Sequence, residues 1–248
     1  MPTRTAAKLR GTAAAAVLRA LARTTPWLES ELLGLQHVVR PGDHCLDVGA
    51  ALGIYTAVLS DLVGQGGVVH SVEPLRFAYP PTLRRLLAAP GRNVRSHRVA
   101  LGSKDAECTM SLPVRNGHFV TGRSFLTAGT SGLGSNDEFD AHVQVDVPAQ
   151  TLDSFSAQSG IDRLDFVKAD VEGAELDLLE GGAETIARFR PSLLLEIEQR
   201  HVERYGRAAE SVAEWLTERG YTMRVWRGSA WQPVDRLDPE RRNHLFVP

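Results

Sequence analysis

The 248 residues are 43% hydrophobic and 23% charged, which suits one large or two small globular domains with a full-sized core and excludes a disordered or fibrous chain. A formal charge of −2 gives no general attraction to nucleic acid or to an acidic membrane surface. The only two cysteines, Cys45 and Cys108, lie far apart and in no C-x-x-C pattern, so a disulfide framework is excluded and a cysteine-bound zinc is disfavoured. Cys45 falls in a predicted core strand and reads as a buried, inert thiol.

Residues 1–40 are expected to form a helical cap. Thr5 to Leu35 is an alanine-rich amphipathic region broken near Thr24-Thr25-Pro26, with Leu9, Val17, Leu18, Leu21, Trp27, Leu28, Leu32 and Leu33 on its apolar face. A cap packed on the main domain is the favoured reading. A substrate lid, a homodimer contact and weak membrane association through the basic face stay open as alternatives. Arg4, Lys8 and Arg10 before the alanine run resemble a signal peptide superficially, but Arg19 and Arg23 interrupt the apolar stretch and it is too short to cross a bilayer. A cytoplasmic protein without stable membrane insertion is the expectation.

Residues 41–248 are expected to form one α/β domain. Pro41-Gly42-Asp43 is a turn, Cys45 to Val48 the first strand, Gly49 to Gly53 a tight loop, and Ile54 to Leu62 a helix. Val68 to Val72 is a second buried strand closed by Glu73-Pro74. A helix near Pro81 to Ala89 leads to a third strand, roughly Val94 to Ala100. Strand, glycine loop, helix, strand, acid is the first half of a nucleotide-binding fold. From about 105 to 149 the alternation stops. Short β-like pieces at Cys108–Leu112 and His142–Val145 predict a β-hairpin insertion, and 116–139 is the best candidate for disorder or for closure over a substrate.

Thr151 caps a short helix. Leu164, Phe166 and Val167 begin a strand, Val171-Glu172-Gly173 turns the chain, and Ala174 to Phe189 reads as one helix stopped by Arg190-Pro191. Leu193 to Ile197 resembles a strand buried on both faces of a parallel sheet. Ala208 to Arg219 is helical. Tyr221–Trp226 and His244–Val247 should form an antiparallel pair at one sheet edge. Asp170, Glu172, Glu196 and Glu198 therefore lie at or near strand C-terminal ends, the edge where open α/β sheets bind ligands.

Gly49 and Gly53 let backbone approach a ligand, yet Ala51 and Ile54 stand where a dinucleotide fingerprint needs glycine. The loop therefore suits a cofactor without phosphates. Glu73, about twenty residues beyond Gly53, stands where a carboxylate accepts both ribose hydroxyls of an adenosine. Asp47 has a comparable role toward an amino-acid moiety or the loop amides. An adenosine bearing an amino acid and no phosphate is S-adenosylmethionine.

Leu46-Asp47-Val48-Gly49-Ala50-x-x-Gly53-x-Tyr55-Thr56, Val72-Glu73-Pro74, Ala100-Leu101-Gly102 and Thr151-Leu152-Asp153 together resemble the FkbM-type methyltransferases. Asp165 to Glu175, with its K-x-D-x-E-G-x-E block, and Pro191 to Glu198 complete the pattern, which runs from about Asp43 to His201. Ala51-Leu52 departs from it, since the family often has Asn followed by a small or β-branched residue there. The resemblance implies a Rossmann-like class I methyltransferase fold: a seven-stranded, mostly parallel sheet with helices on both faces. It also implies S-adenosylmethionine-dependent transfer, typically O-methylation of a hydroxyl on a small natural product or sugar. By similarity, Asp47, Gly49, Ala50, Gly53, Tyr55 and Thr56 would line the methionine end and Glu73 with Pro74 the ribose. Ala100 and Leu101 would face adenine, and Asp170 would lie beside the transferring methyl.

An alcohol acceptor needs a base, and Asp170, Glu172, Glu198 and His201 are the candidates, Asp170 first. Asp170 could equally hold the methionine ammonium, and His201 could simply start a helix. Lys168 is expected to pair with one of the carboxylates. A magnesium ion on Asp170, Glu172 and Glu196 is conceivable, but no spacing demands it and no metal site is predicted. Arg84, Arg85, Arg92, Arg95 and Arg98 read as a solvated face rather than a nucleic-acid site. A non-catalytic S-adenosylmethionine-binding scaffold is the alternative function, and a nicotinamide-dependent oxidoreductase a more distant one.

Overall fold

Strand β1 (His44–Val48) is buried along nearly its whole length, as expected of a strand covered on both faces. It pairs in parallel with β2 (Val68–Val72) on one side and β9 (Phe166–Ala169) on the other. The computed structural model describes residues 4–26, 28–75 and 93–248, with side chains from residue 13. The helix expected at Pro81–Ala89 and the arginines at 84, 85 and 92 lie outside the described residues.

Outward from β2 lies β3 (Val94–His97), and outward from β9 lies β10 (Ser192–Glu196), both parallel to their neighbours. Beyond β10 the sheet turns antiparallel: β13 (Asn243–Val247) pairs with β10, β11 (Thr222–Trp226) with β13, and β12 (Trp231–Pro233) with β11. The expected seven strands are therefore eight, in the order β12-β11-β13-β10-β9-β1-β2-β3. The extra strand arises because Trp231-Gln232-Pro233 folds back on β11, so the expected edge pair is covered rather than left open.

Side chains alternate across the sheet. Leu46, Val48, Val72 and Val167 face one layer, with α4 (Leu152–Gln158), α5 (Glu175–Glu180) and α8 (Glu210–Thr217). Cys45, Val69, Phe166 and Leu194 face the other, with α1 (Arg4–Thr24), α2 (Glu31–Gly34) and α3 (Ile54–Val63). Helix α1 buries Ala14, Ala15, Leu18 and Ala22, and Arg19 pairs with Asp61 of α3 at 2.6 Å. Val17 and Leu21, expected on the apolar face, instead stay exposed because the small alanines make the contact.

The single helix expected from Ala174 to Phe189 is two, α5 and α6 (Ala183–Phe189), broken at Gly181-Gly182. A Cβ on Gly181 would stand 2.2 Å from the Gly102 carbonyl oxygen, so this close approach admits only glycine.

The third strand does not reach Ala100 in the main sheet. Ala100 and Leu101 form β4 in a second, five-stranded sheet, where β4 is followed by β8 (Ala141–Gln150), β5 (Ala106–Arg115) and β6 (His118–Phe119), with β7 (Phe125–Leu126) also on β5. Its spine is a long hairpin, β5 (Ala106–Arg115) against β8 (Ala141–Gln150), packed around Met110, Leu112 and Val147. Between them, 116–139 is not a bare loop. It carries β6 (His118–Phe119), β7 (Phe125–Leu126) and helical turns at Thr121–Arg123 and Gly134–Glu138. Fully buried Asn136 ties these turns together, donating to the Arg123 carbonyl at 2.8 Å and accepting from Arg123 Nη2 at 2.9 Å. Tyr205 Oη, just beyond α7 (Gln199–Val202), donates to the Leu126 carbonyl and anchors the segment to the main domain.

Candidate functional site

The C-terminal ends of β1, β2 and β9 meet at Gly49. Its φ is +74° and a Cβ there would lie 1.8 Å from the Asp170 carbonyl oxygen, so the two strand ends touch backbone to backbone. The amides of Gly49 and Ala50 both donate to the Val72 carbonyl, at 3.0 and 3.1 Å, and fold the loop back over β2. Helix α3 then starts at Gly53, which is left-handed at φ +77°.

Two cavities open on either side of this contact, and Gly49, Ala51 and Asp170 line both. The first is a cleft with about 610 Å³ of open space, mouth included, between the main sheet and the second sheet. Glu73, Pro74, Ala100, Leu101 and Glu172 line it, and Thr121 to Leu126 supply much of its far wall. The second, lined by Asp47, Ala50, Tyr55, Lys168 and the N-terminal residues Leu28, Glu29 and Leu32, has about 620 Å³ of open space, mouth included. Gly53, Thr56 and His201 line neither cavity.

Glu73 Oε2 accepts the Ala51 amide at 3.0 Å and Oε1 the Leu75 amide at 2.9 Å, leaving each oxygen a further lone pair. Burial pushes this carboxyl up to about 7. The bond to Ala51 fixes a non-glycine residue at φ +42°, a conformation the sequence pattern did not reveal. Asp47 is buried and accepts a short hydrogen bond from the Thr56 hydroxyl, which lies 2.9 Å from Ser71 Oγ. Burial lifts Asp47 to about 6. Thr56 thus braces Asp47 from behind instead of facing a cavity.

Asp170 is paired with Glu196. Burial raises both, and Asp170 raises Glu196 further, to about 10, so Glu196 holds its proton at neutral pH and faces the Asp170 and Glu198 carboxylates with it. Lys168 is 1% exposed, donates to the Ala169 carbonyl at 3.0 Å, and lies 5.1 Å from the Tyr55 ring centroid. Among the described residues no carboxylate approaches it within ion-pair distance, unlike the direct pairing expected from sequence; Asp170, Glu29, Glu196 and Asp47 act on it at longer range and raise its pKa despite burial. The Tyr55 hydroxyl instead donates to Glu29.

Glu172 sits in the left-handed region at φ +56°. Burial, reinforced by Asp170 and opposed by Arg123, moves its carboxyl up to about 8. His201 Nδ1 lies 3.2 Å from Glu172 Oε2, and burial lowers this imidazole to about 3, so it is neutral and stands behind Glu172 rather than at a cavity wall. Arg123 Nε is 3.7 Å from the same oxygen. Glu175, also buried, accepts the Val171 and Gly173 amides at 3.2 and 3.3 Å and holds the turn. Among the described residues no group of three or more His, Cys, Asp or Glu side chains is arranged to hold a metal ion. No described helix is long and apolar enough to cross a membrane.

Several wall residues carry no signal in sequence. Glu29 and the stretch from Thr121 to Leu126 lie outside every recognisable motif, and only the three-dimensional closure of the two outer layers brings them here.

AMB antimetabolite synthetase AmbE of Pseudomonas aeruginosa is 24% identical over 228 residues, covering 81% of this chain but 10% of that protein. The chain thus spans about a tenth of that curated relative's length. Among solved structures, methyltransferase FkbM from Methylobacillus flagellatus is similar at 16% identity and TM-score 0.47, covering 88% of this chain and 51% of that one. A SAM-dependent O-methyltransferase from Thermotoga maritima is similar at 14% identity and TM-score 0.43, covering 94% and 69%. Residues 47–223, well over half the chain and enclosing both cavity-forming strand ends, match the family described as Methyltransferase FkbM domain, and the chain belongs to that family.

Proposed function

We propose that this chain transfers a methyl group from S-adenosylmethionine to a hydroxyl of a small acceptor, a natural product or a sugar. The observation that carries the proposal is the pair of cavities joined at Gly49, Ala51 and Asp170, with a ribose-competent carboxylate on one side and charged groups on the other. The residues present fit the cofactor. Glu73 keeps lone pairs for two ribose hydroxyls, Ala100, Leu101 and Pro74 offer an apolar wall for adenine, and Asp47, Ala50 and Tyr55 line the polar second cavity. Gly53 and Thr56 act beneath the loop, shaping it.

When bound, the cofactor supplies a methyl group on a positively charged sulfur, already activated for displacement. The chain has to align the acceptor, exclude water and take up one proton. Asp170 is the base this reading favours: it lines both cavities, and the Glu196 proton and the nearby Lys168 charge support its anion. Glu172, on the acceptor side of the cleft, is protonated for much of the neutral range and serves better as a donor orienting the acceptor oxygen. His201 supports Glu172 without touching the acceptor. The similarity to an antimetabolite synthetase is in keeping with a natural-product setting.

Calorimetric titration with S-adenosylmethionine, S-adenosylhomocysteine and NAD tests the reading. Micromolar binding of the first two and none of NAD is expected. Binding of NAD alone, or of none of the three, overturns it.

A further inference from the structure

Cavity-lining Glu29 belongs to no motif, yet packing and hydrogen bonds on both sides hold it in place. It lies in the turn before α2, whose neighbours Leu32 and Leu35 are buried in the core under the main sheet. The Gly34 carbonyl at the end of α2 accepts a 2.9 Å hydrogen bond from Trp231 Nε1, tying this helix to the far sheet edge. From its turn the Glu29 carboxylate reaches Tyr55 at the start of α3 and accepts its hydroxyl. Opposite stands Lys168, whose ammonium has three donors and one acceptor among the described residues, the Ala169 carbonyl. Asp170, Glu29, Glu196 and Asp47 around it balance its charge and raise its pKa despite burial, but two of its three donors find no hydrogen-bond acceptor among the described residues and are open to a ligand carboxylate.

We propose that Glu29 and Lys168 form a clamp for the zwitterionic amino-acid end of the cofactor, Lys168 meeting the carboxylate and Glu29 the ammonium. The inference rests on the reading of the site as an S-adenosylmethionine site and adds to it that the N-terminal segment is part of the binding machinery. Charge supports the assignment, because the cavity wall offers one buried cation and several carboxylates, Glu29, Asp47 and Asp170. A ligand end with one negative and one positive group matches such a wall, whereas a simple anion would meet the carboxylates. Tyr55 has a positioning role: its hydroxyl holds the Glu29 carboxylate, and its ring lies beside the Lys168 ammonium.

Calorimetry with S-adenosylhomocysteine, decarboxylated S-adenosylmethionine and 5′-methylthioadenosine, which lacks the amino-acid end, separates the contributions. Glu29→Gln is expected to weaken S-adenosylhomocysteine on the order of tenfold, the worth of one charge-assisted hydrogen bond, and to leave methylthioadenosine within about twofold. Lys168→Met should abolish the preference of the wild-type protein for S-adenosylmethionine over its decarboxylated form. Circular dichroism checks folding, and should Lys168→Met not fold, Glu29→Gln on the half-buried turn decides alone. Binding of S-adenosylhomocysteine with the same preference over methylthioadenosine in Glu29→Gln as in wild type overturns the clamp and leaves the cofactor assignment standing. Failure of the wild-type protein to bind any of the ligands overturns both.

Discussion

Replacing Gly49 with alanine should destabilise the fold and close the join between the two cavities. Two costs combine. A left-handed backbone costs an alanine about 1–2 kcal/mol, and overpacking a rigid contact adds about 1–3 kcal/mol. The contact is rigid because the new Cβ would meet a backbone atom, the Asp170 carbonyl oxygen, at 1.8 Å, with no side chain to swing away. A total loss of about 2–5 kcal/mol follows. Gly117 provides the control: it has the same φ of +74° but nothing within 4 Å of an added Cβ. Gly117→Ala should therefore cost only the backbone part, about 1–2 kcal/mol. Urea denaturation of both variants, with slopes compared to confirm that the unfolded state is unchanged, measures the difference. Equal losses in the two variants would refute the reasoning, since the strand-end contact would then contribute nothing.

Glu73→Ala should lower S-adenosylhomocysteine affinity on the order of tenfold by calorimetry, and unchanged affinity in a folded variant removes Glu73 from the site. Because the ionised carboxylate is the ribose acceptor and burial holds it near about 7, wild-type affinity should climb as pH rises through that value and level off above it, while Glu73→Gln shows a flatter profile. Glu196 has the opposite consequence for stability. Its native pKa of about 10 exceeds the ordinary 4.5, so the native state binds the proton more tightly and stability falls as pH rises between those values. Glu196→Gln should flatten the alkaline part of that decline in melting temperature, and an unchanged slope would count against the buried proton. Asp170→Asn should retain the fold and lose on the order of 10²-fold or more in turnover once an acceptor is found, whereas full activity would leave Asp170 structural.

The central strands were legible because double-sided burial writes itself as apolar runs: Cys45–Val48, Val68–Val72 and Leu193–Leu195 all form strands of the parallel core. The acids placed at strand ends lie where the runs stop. Misreadings came where tertiary contact overrides local pattern. Gly181-Gly182 sits within good helix formers, and only the approach of the Gly102 carbonyl shows why the helix breaks. Trp231-Gln232-Pro233 is too short and too proline-marked to announce a strand, yet pairing with β11 makes it one. His201, three residues past an acid-rich strand end, reads as a helix-start histidine or a base, and the folded chain places it in the first turn of α7, turned inward against Glu172. Hydrophobicity alone places Val17 and Leu21 on the buried face of α1, but the small alanines let α1 pack closely on α3 and are buried in their place.

The site divides along the same line. Its floor, from Asp47 through Glu73 to Asp170, is built from strand ends and short loops, where spacing in sequence translates almost directly into spacing in space. Its walls come from the two outer layers: the N-terminal turn carrying Glu29, and the Thr121–Leu126 stretch of the second sheet. Those layers reach the crevice through long-range anchors, Trp231 to Gly34 on one side and Tyr205 to Leu126 on the other, whose partners stand 197 and 79 positions apart in sequence. No local pattern encodes such pairs. A floor that binds a common cofactor can be shared among many chains; Glu29 on one wall completes the cofactor site, while the Thr121–Leu126 wall decides what else enters the cleft, so acceptor choice should follow that stretch. Exchanging Thr121–Leu126 for another family member's segment should accordingly change which hydroxylated acceptor is methylated and leave S-adenosylhomocysteine affinity within about threefold, because on this reading the cofactor rests chiefly on the floor.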